Sequence, residues 1–206
     1  MRWAPLLLGS YLLGSIAFSL LVVWLLQRAD VRTLGSGNAG ATNVLRTAGR
    51  WPALLVLLLD IGKGIVPVRV ARALEAPPEI VAGAAFAAML GHVFPVYFGF
   101  RGGKGVATGF GALVSLFPLA GGLALVAFLV VVAASRYVSL GSLVGALAVP
   151  PVAWLLARLG WAAPVTRVEL AIACACSLLV VSKHRSNLRR LLAGGERRLG
   201  EGRRER

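Results

Sequence analysis

Three short polar segments hold nearly all the residues able to do chemistry. The first is GSGNAGATNVLRTAG, residues 35–49. It contains a formal G-x-G-x-x-G at Gly35, Gly37 and Gly40, with an acidic residue, Asp60, twenty positions further on. That spacing imitates a dinucleotide fingerprint, which holds only after a strand and inside a βαβ unit. Asp60 lies in an apolar run and nothing nearby supplies a parallel sheet, so the Rossmann reading fails. Its physics survives, because glycines let the backbone curl until several N–H groups converge on one anion. Ser36, Asn38, Thr42 and Asn43 add neutral hydrogen bonds. Arg46 adds a guanidinium fork that matches phosphate or carboxylate. Four glycines and two asparagines exceed what a flexible linker needs.

The second segment is GHVFPVYFGFRGGKGVATGFG, residues 91–111, in which Arg101 and Lys104 flank Gly102 and Gly103. A Walker A loop needs Ser or Thr directly after Gly-Lys. Gly105 stands there, so this is not an ATPase loop. A glycine loop leading into a helix still makes an anion site, since free N–H groups and the dipole both favour negative charge. The plainer alternative is that Arg101 and Lys104 only set membrane orientation. His92, in an apolar context close to Pro95, reads as structural.

The third segment is SKHRSNLRRLLAGGERRLGEG, residues 182–202. His184 and Asn187 are three apart and share a face if the segment is helical. His184 has an intrinsic pKa suited to a general base, and it serves equally to position a phosphate. The alternative is a polar cap where a helix leaves the membrane.

What is missing narrows the chemistry further. The chain has only two aspartates, Asp30 and Asp60, and no carboxylate cluster, which excludes a metal-dependent CDP-alcohol transferase. No Cys/His pairing has zinc spacing. The soluble acyltransferase signature, His with Asp five positions on, fails at both histidines, where Tyr97 and Arg189 stand instead. No metal and no cofactor is expected.

These segments must be carried by membrane helices. Of 206 residues, 58% are hydrophobic and only 15% charged, and the mean hydropathy is +0.80. Soluble domains average about 25% charged residues. Disorder is excluded because it needs low hydrophobicity. Cys174 and Cys176, inside one apolar run, read as small buried hydrophobes rather than a disulfide. The formal charge of +14 invites nucleic acid, but the charges sit in short loops between apolar runs, so no nucleic-acid partner is expected. Anionic lipid and phosphorylated substrates fit better.

A span needs about 20 apolar residues. Runs at 3–26, 51–71, 78–98, 138–156 and 168–181 each fit one crossing. Asp60 and Lys63 share a face of the second, as a packing ion pair or, less simply, a proton path. The stretch 105–135 is too long for one straight span, and two short helices hinged near Pro118 would cross twice. Seven spans then put 16 of the 22 basic residues on one face, and only Arg2, Arg69, Arg72, Arg158 and Arg167 on the other. The positive-inside rule makes the first face cytoplasmic, with the amino terminus outside and the carboxyl terminus inside. The expectation is an all-α polytopic membrane protein of about seven transmembrane helices, a single domain over 1–206. Its basic tail, 197–206, would lie on anionic lipid. No internal repeat favours an inverted-repeat transporter.

In this order, the three segments resemble blocks of the bacterial membrane acyl-phosphate:glycerol-3-phosphate acyltransferase (PlsY) family, and LLLDIGKG of the second span fits as well. The resemblance covers nearly the whole chain. It implies transfer of an acyl chain from acyl phosphate to the sn-1 hydroxyl of glycerol-3-phosphate, the first step of phospholipid synthesis. The products are lysophosphatidic acid and inorganic phosphate. It also implies a bacterial inner-membrane location with the site facing the cytoplasm; a monomer is the simplest expectation.

The family's catalytic roles fall on Ser36, Arg46, Lys104, His184 and Asn187, with Glu196 as a structural carboxylate. Ser36, Asn38 and the glycines of the first block would hold the donor phosphate, and Arg46 would clamp it. Lys104 with Gly102 and Gly103 resembles the loop that binds glycerol-3-phosphate. The substrate-binding set is Gly35, Gly37, Asn38, Gly40, Thr42, Asn43, Arg101, Gly102, Gly103, Gly105, Ser139 and Ser142. The two serines rank lower, because glycine stands at 141 where a small polar residue is expected. The resemblance favours the donor's own phosphate over His184 as acceptor of the hydroxyl proton. The rival class is a transporter for phosphate or organic anions, which predicts basic residues deep in several spans.

Overall fold

The computed structural model describes residues 2–201. Among these residues it contains ten α-helices and no strand. They are α1 (Ala4–Gly14), α2 (Phe18–Gln27), α3 (Ala41–Thr47), α4 (Arg50–Ala73), α5 (Pro78–Val93), α6 (Val106–Leu116), α7 (Pro118–Ser135), α8 (Val138–Arg158), α9 (Arg167–Lys183) and α10 (Arg185–Leu192). By length and composition four segments suffice to cross a membrane, Ala4–Gln27, Pro78–Phe98, Pro118–Ser135 and Val138–Arg158. The 24-residue α4 carries Asp60 and Lys63 and is less apolar, whereas α9 has 17 residues and α6 only 11.

The stretch 105–135 divides where the sequence suggests. Proline has no N–H to continue a helix and pushes the residue before it out of the helical region. Phe117 takes φ −128° and ψ 76°, and Pro118 opens α7. A β-carbon on Gly121 would fall 2.7 Å from the Cα of Val114. The two helices therefore fold back on one another as a hairpin. The first apolar run, expected as one crossing, is a single candidate span whose helix is interrupted between Gly14 and Phe18. Lys63 Nζ donates to the carbonyl of Ile16 at 2.7 Å, so one backbone group of the break finds a partner inside the protein.

Small residues bring the helices together, as expected where the surrounding lipid is as apolar as the core. α4 and α6 run in parallel and cross where Gly64 meets the backbone of Thr108 and Gly111 meets that of Ile61. Further along, Arg72 donates to the carbonyl of Leu116 at 3.1 Å. The core between helices includes Val68, Ala85, Met89, Ala112, Ala124, Ala153, Ala173 and Val180. Large apolar side chains such as Leu25, Leu58, Val130 and Leu178 point outward, as a lipid-facing surface requires. Cys176 is buried as expected, but Cys174 is exposed on that outer surface, because neighbours two apart on a helix face different ways.

The carboxyl end does not simply rest on lipid. The N–H of Leu199 donates to the carbonyl of Arg136 at 2.7 Å, and the Arg136 guanidinium donates back to the carbonyl of Leu199. Arg198 donates to the hydroxyl of Tyr137 at 3.3 Å. Arg198 and Leu199 are thus docked on the turn between α7 and α8. The remainder of the basic tail, 202–206, lies outside the described residues.

Candidate active site

The glycine-rich segments and the carboxyl-terminal segment meet at one cavity of about 1020 Å³. Every candidate residue lines it except Arg101, which is exposed and lends only its backbone carbonyl, to Arg32 at 3.3 Å. The cavity has two parts. At the loop ends of the helices it is lined by the glycine segments with Arg46, Arg50, Lys104, Lys183, Arg190 and Arg197. Between α4, α6, α7, α8 and α9 the lining is apolar, with Leu57, Phe110, Leu113, Ala124, Leu129, Ala146 and Val149.

In the first loop, Asn43 is an organiser. Its Oδ1 accepts from the N–H of Ser36 at 2.8 Å, and its Nδ2 donates to the carbonyls of Val31 and Leu34 at 3.0 Å each. The side chain is therefore spent on folding the loop, which leaves the exposed hydroxyl of Ser36 at its tip. Arg46 makes no hydrogen bond or ion pair among the described residues. Burial and then the positive charge of Arg197 hold its guanidinium below the ordinary value.

The second loop is tied to the first. Arg32 forks onto Asp30, with its Nη2 at 2.7 Å, and donates through Nη1 to the carbonyl of Phe98 at 3.1 Å. Its own N–H donates to the carboxylate of Asp30. Gly103 lies between the loops, where a β-carbon would fall 2.5 Å from the carbonyl oxygen of Ala39 and also meet the imidazole of His92. Only glycine fits there. Gly105, at φ +78°, then starts α6, so the open N–H groups of its first turn adjoin the cavity.

Lys104 connects the second segment to the third. Its ammonium donates to the side-chain oxygen of Asn187. Asn187 in turn donates to Oε1 of Glu196 at 2.5 Å, which also accepts from Ser139 at 2.8 Å. Arg190 donates to Oε2 of Glu196 at 2.7 Å. Burial pushes the Glu196 carboxyl up, but the bonds from Asn187, Ser139 and Arg190 outweigh it and keep the pKa below its ordinary value. Burial brings Lys104 down to about 8, against the opposing pull of Glu196.

His184 sits at the junction of α9 and α10, buried, with Nδ1 donating to the carbonyl of Val180 at 2.9 Å. That bond fixes the neutral tautomer and leaves the Nε2 lone pair free. Burial pushes its pKa down to about 4, so the ring is uncharged at neutral pH.

The two serines on the cavity wall are engaged within the protein. Ser139 donates to Glu196, and Ser142 donates to the carbonyl of Val138 within its own helix. Glycine at 141 has a packing reason, because a β-carbon would fall 2.6 Å from a methyl of Val132 on α7. The cationic lining by Arg50, Arg190 and Arg197 was not anticipated from sequence. The dense basic run of the third segment was the available signal. His92 is buried and bonded to Thr108, as its structural reading expects. Asp60 and Lys63 form the expected ion pair, at 2.8 Å.

Among proteins of known sequence, a family model described as glycerol-3-phosphate acyltransferase matches residues 4–194. The chain is 44% identical to the glycerol-3-phosphate acyltransferase of Methylobacillus flagellatus, over 98% of this chain and 99% of that protein. To the protein of the same name from Halalkalibacterium halodurans it is 48% identical, over 95% of this chain and 94% of the other. Its fold matches the glycerol 3-phosphate form of PlsY (YgiH), an integral membrane glycerol 3-phosphate acyltransferase. The TM-score is 0.87 at 36% identity, covering 97% of this chain and 96% of that one. The lysophosphatidic acid form of the same protein matches with a TM-score of 0.84 at 35% identity.

Proposed function

This chain belongs to the PlsY family of glycerol-3-phosphate acyltransferases, and from that premise we propose that it moves an acyl chain from acyl phosphate to the sn-1 hydroxyl of glycerol-3-phosphate. The single observation that carries this reading is the two-part cavity, in which a cationic, glycine-walled end continues into an apolar slot between helices. An acyl phosphate has that same division, a dianionic head on a hydrocarbon tail. The six basic side chains at the loop end exceed the two carboxylates of the lining, Asp60 and Glu196, each already paired with a cation. That excess suits two phosphates bound at once.

In the reaction the sn-1 oxygen attacks the acyl carbonyl carbon. The bond from that carbon to the phosphate oxygen breaks, and inorganic phosphate leaves with the hydroxyl proton. Lys104 and the Gly102 and Gly103 turn hold the phosphate of glycerol-3-phosphate. Ser36, Asn38 and Arg46 hold the donor phosphate. Orienting the two reactants supplies up to roughly 7–11 kcal/mol of the barrier, and the fixed cations stabilise the developing charge. An acyl phosphate is an activated anhydride whose leaving group needs little help. A histidine with a pKa of about 4 is a weak base. Both points favour the donor's phosphate as proton acceptor, with His184 as a hydrogen-bond partner.

The excess of basic residues in the three polar segments favours a cytoplasmic position for them, and the family's integral membrane character with these apolar helices supports a bacterial inner-membrane location. A transporter of anions would need basic residues along its path. The deeper lining here carries no lysine or arginine, and its one carboxylate, Asp60, is paired, which favours the transferase.

The test is a transfer assay in detergent without added metal, offering labelled glycerol-3-phosphate with palmitoyl phosphate or palmitoyl-CoA. The expected result is lysophosphatidic acid from the acyl phosphate alone, lost in Lys104→Ala. No product from either donor, with the protein folded, would overturn the transferase reading and direct the work to liposome flux.

A further inference from the structure

Behind the second glycine loop lies a buried polar cluster that the reaction does not itself call for. Lys63 and Asp60, neighbours across one turn of α4, pair at 2.8 Å with side chains 1% and 3% exposed. Lys63 also reaches the carbonyl of Ile16 at the break between α1 and α2. Oδ1 of Asp60 is 3.7 Å from Nδ1 of His92, near the end of α5. The same Nδ1 is hydrogen-bonded at 3.1 Å to the hydroxyl of Thr108, in the first turn of α6. Ionised side chains at membrane depth are disfavoured unless matched. A buried ion pair is also weak evidence for stability, since packed apolar side chains often do as well.

The cluster's position gives it another use. His92 lies just before the loop 94–105 and Thr108 just after it, so their hydrogen bond closes the neck of that loop. Within the loop, the carbonyl of His92 accepts from the N–H of Gly103 at 3.2 Å, and that of Val93 from the N–H of Gly102 at 3.3 Å. The imidazole itself lies against the α-carbon of Gly103, the residue before Lys104. The ring and the two backbone bonds therefore support Gly103 from behind, and with it the backbone from which Lys104 extends.

We propose that Asp60, His92 and Thr108 are positioning residues that hold the turn from Gly102 to Lys104 in its anion-binding shape, with Lys63 orienting Asp60. The inference rests on the reading that this turn takes the phosphate of glycerol-3-phosphate. It adds that the turn is pre-shaped from below, so the acceptor site is set before either substrate arrives.

The test compares Thr108→Val, Thr108→Ser, Asp60→Asn and Lys104→Ala in the full-length protein. It reads the Kd of glycerol-3-phosphate by calorimetry, the KM of palmitoyl phosphate, and Tm in detergent. Thr108→Val keeps the shape of the side chain and removes the hydroxyl. It is expected to weaken glycerol-3-phosphate binding about tenfold, the scale of one lost buried hydrogen bond. The palmitoyl phosphate KM should stay within about twofold, Thr108→Ser should restore binding, and Asp60→Asn should follow Thr108→Val. Unchanged binding in Thr108→Val overturns the proposal, and so does a loss that serine does not rescue or that both substrates share with a fallen Tm. Lys104→Ala separates the two levels. If it binds glycerol-3-phosphate as the parent does, the acceptor-site reading fails and the proposal with it. If it loses binding while Thr108→Val does not, only the proposal falls.

Discussion

Lys104 and Asn187 are 83 positions apart in the chain, yet the ammonium of the first donates to the side-chain oxygen of the second. Asn187 is held in turn by Glu196, and Glu196 by Ser139 and Arg190. The third polar segment is therefore a scaffold that presents a cation belonging to the second. This arrangement explains how a site without a carboxylate cluster holds a partly buried lysine. The carboxylate is one residue removed and acts through an amide.

That relationship sets a pH dependence. Burial lowers Lys104 to about 8, so the group carries its charge below that pH and loses it as pH rises through it. The kcat/KM for glycerol-3-phosphate, which reports the free enzyme, should be level near pH 7 and fall above about 8. In Lys104→Arg the alkaline limb should move out of the accessible range, because guanidinium stays protonated. An unchanged limb in Lys104→Arg would assign the titration to another group.

His184 leads to the opposite expectation. With Nδ1 committed to the carbonyl of Val180 and a pKa near 4, the ring changes charge only in strong acid. The rate profile should then show no acidic limb from histidine between about pH 5.5 and 7. His184→Ala should lose less than the roughly 10²–10⁴-fold typical of removing a general base. A larger loss together with a limb near pH 6 would make His184 the base.

The glycines divide into those with and without room. Gly103→Ala places a methyl against the His92 imidazole and the carbonyl of Ala39, and both glycine loops must shift. Overpacking of this kind costs about 1–3 kcal/mol, and glycerol-3-phosphate binding should weaken at least about tenfold with it. Gly62, on the same α4 as Asp60, has nothing within 4 Å of a β-carbon. Gly62→Ala should leave turnover intact and raise Tm slightly, since alanine is favoured over glycine in a helix by about 1 kcal/mol. Equal behaviour of the two variants in activity and Tm would refute this distinction.

The apolar slot should measure the acyl chain. Ala146 lines it on α8, and its carbonyl accepts from Ser177 on α9 at 2.6 Å, so the two helices are fixed there. Ala146→Phe should reduce turnover of palmitoyl phosphate about tenfold relative to decanoyl phosphate, since each lost methylene contact contributes on the order of 1 kcal/mol. Parallel loss with both donors would place the tail elsewhere.

Much of this site was legible from residue types. The glycines proposed to hold phosphate and their neighbouring cations are adjacent in the chain, and the backbone geometry they need is local. Ser36, Arg46, Lys104, His184 and Asn187 all line the cavity. Asn43 and Ser139 show the limit of such reading. Both have side chains suited to a substrate, and both are occupied by the protein itself, one folding the first loop and the other holding Glu196. Arg32 lies outside the three polar segments, yet it binds the two glycine loops to each other through Asp30 and the carbonyl of Phe98.

The amino-acid sequence by itself determined the class of the molecule. Long apolar runs require helices wherever lipid leaves backbone groups no other partner. The proline at 118 breaks the longest run, and the glycine segments with Arg46 and Lys104 carry the residue types an anion site needs. Hydropathy and backbone preference are properties of neighbours, so they can be read along the chain. Tertiary structure decided which polar groups are free and which are spent. Gly103 must be glycine because the carbonyl of Ala39 and the ring of His92 arrive beside it from other segments. Lys63 serves the break at Ile16, and Leu199 closes on Arg136. A hydrogen bond between distant segments exists only once helix packing has brought donor and acceptor within about 3 Å, and no local pattern encodes that distance.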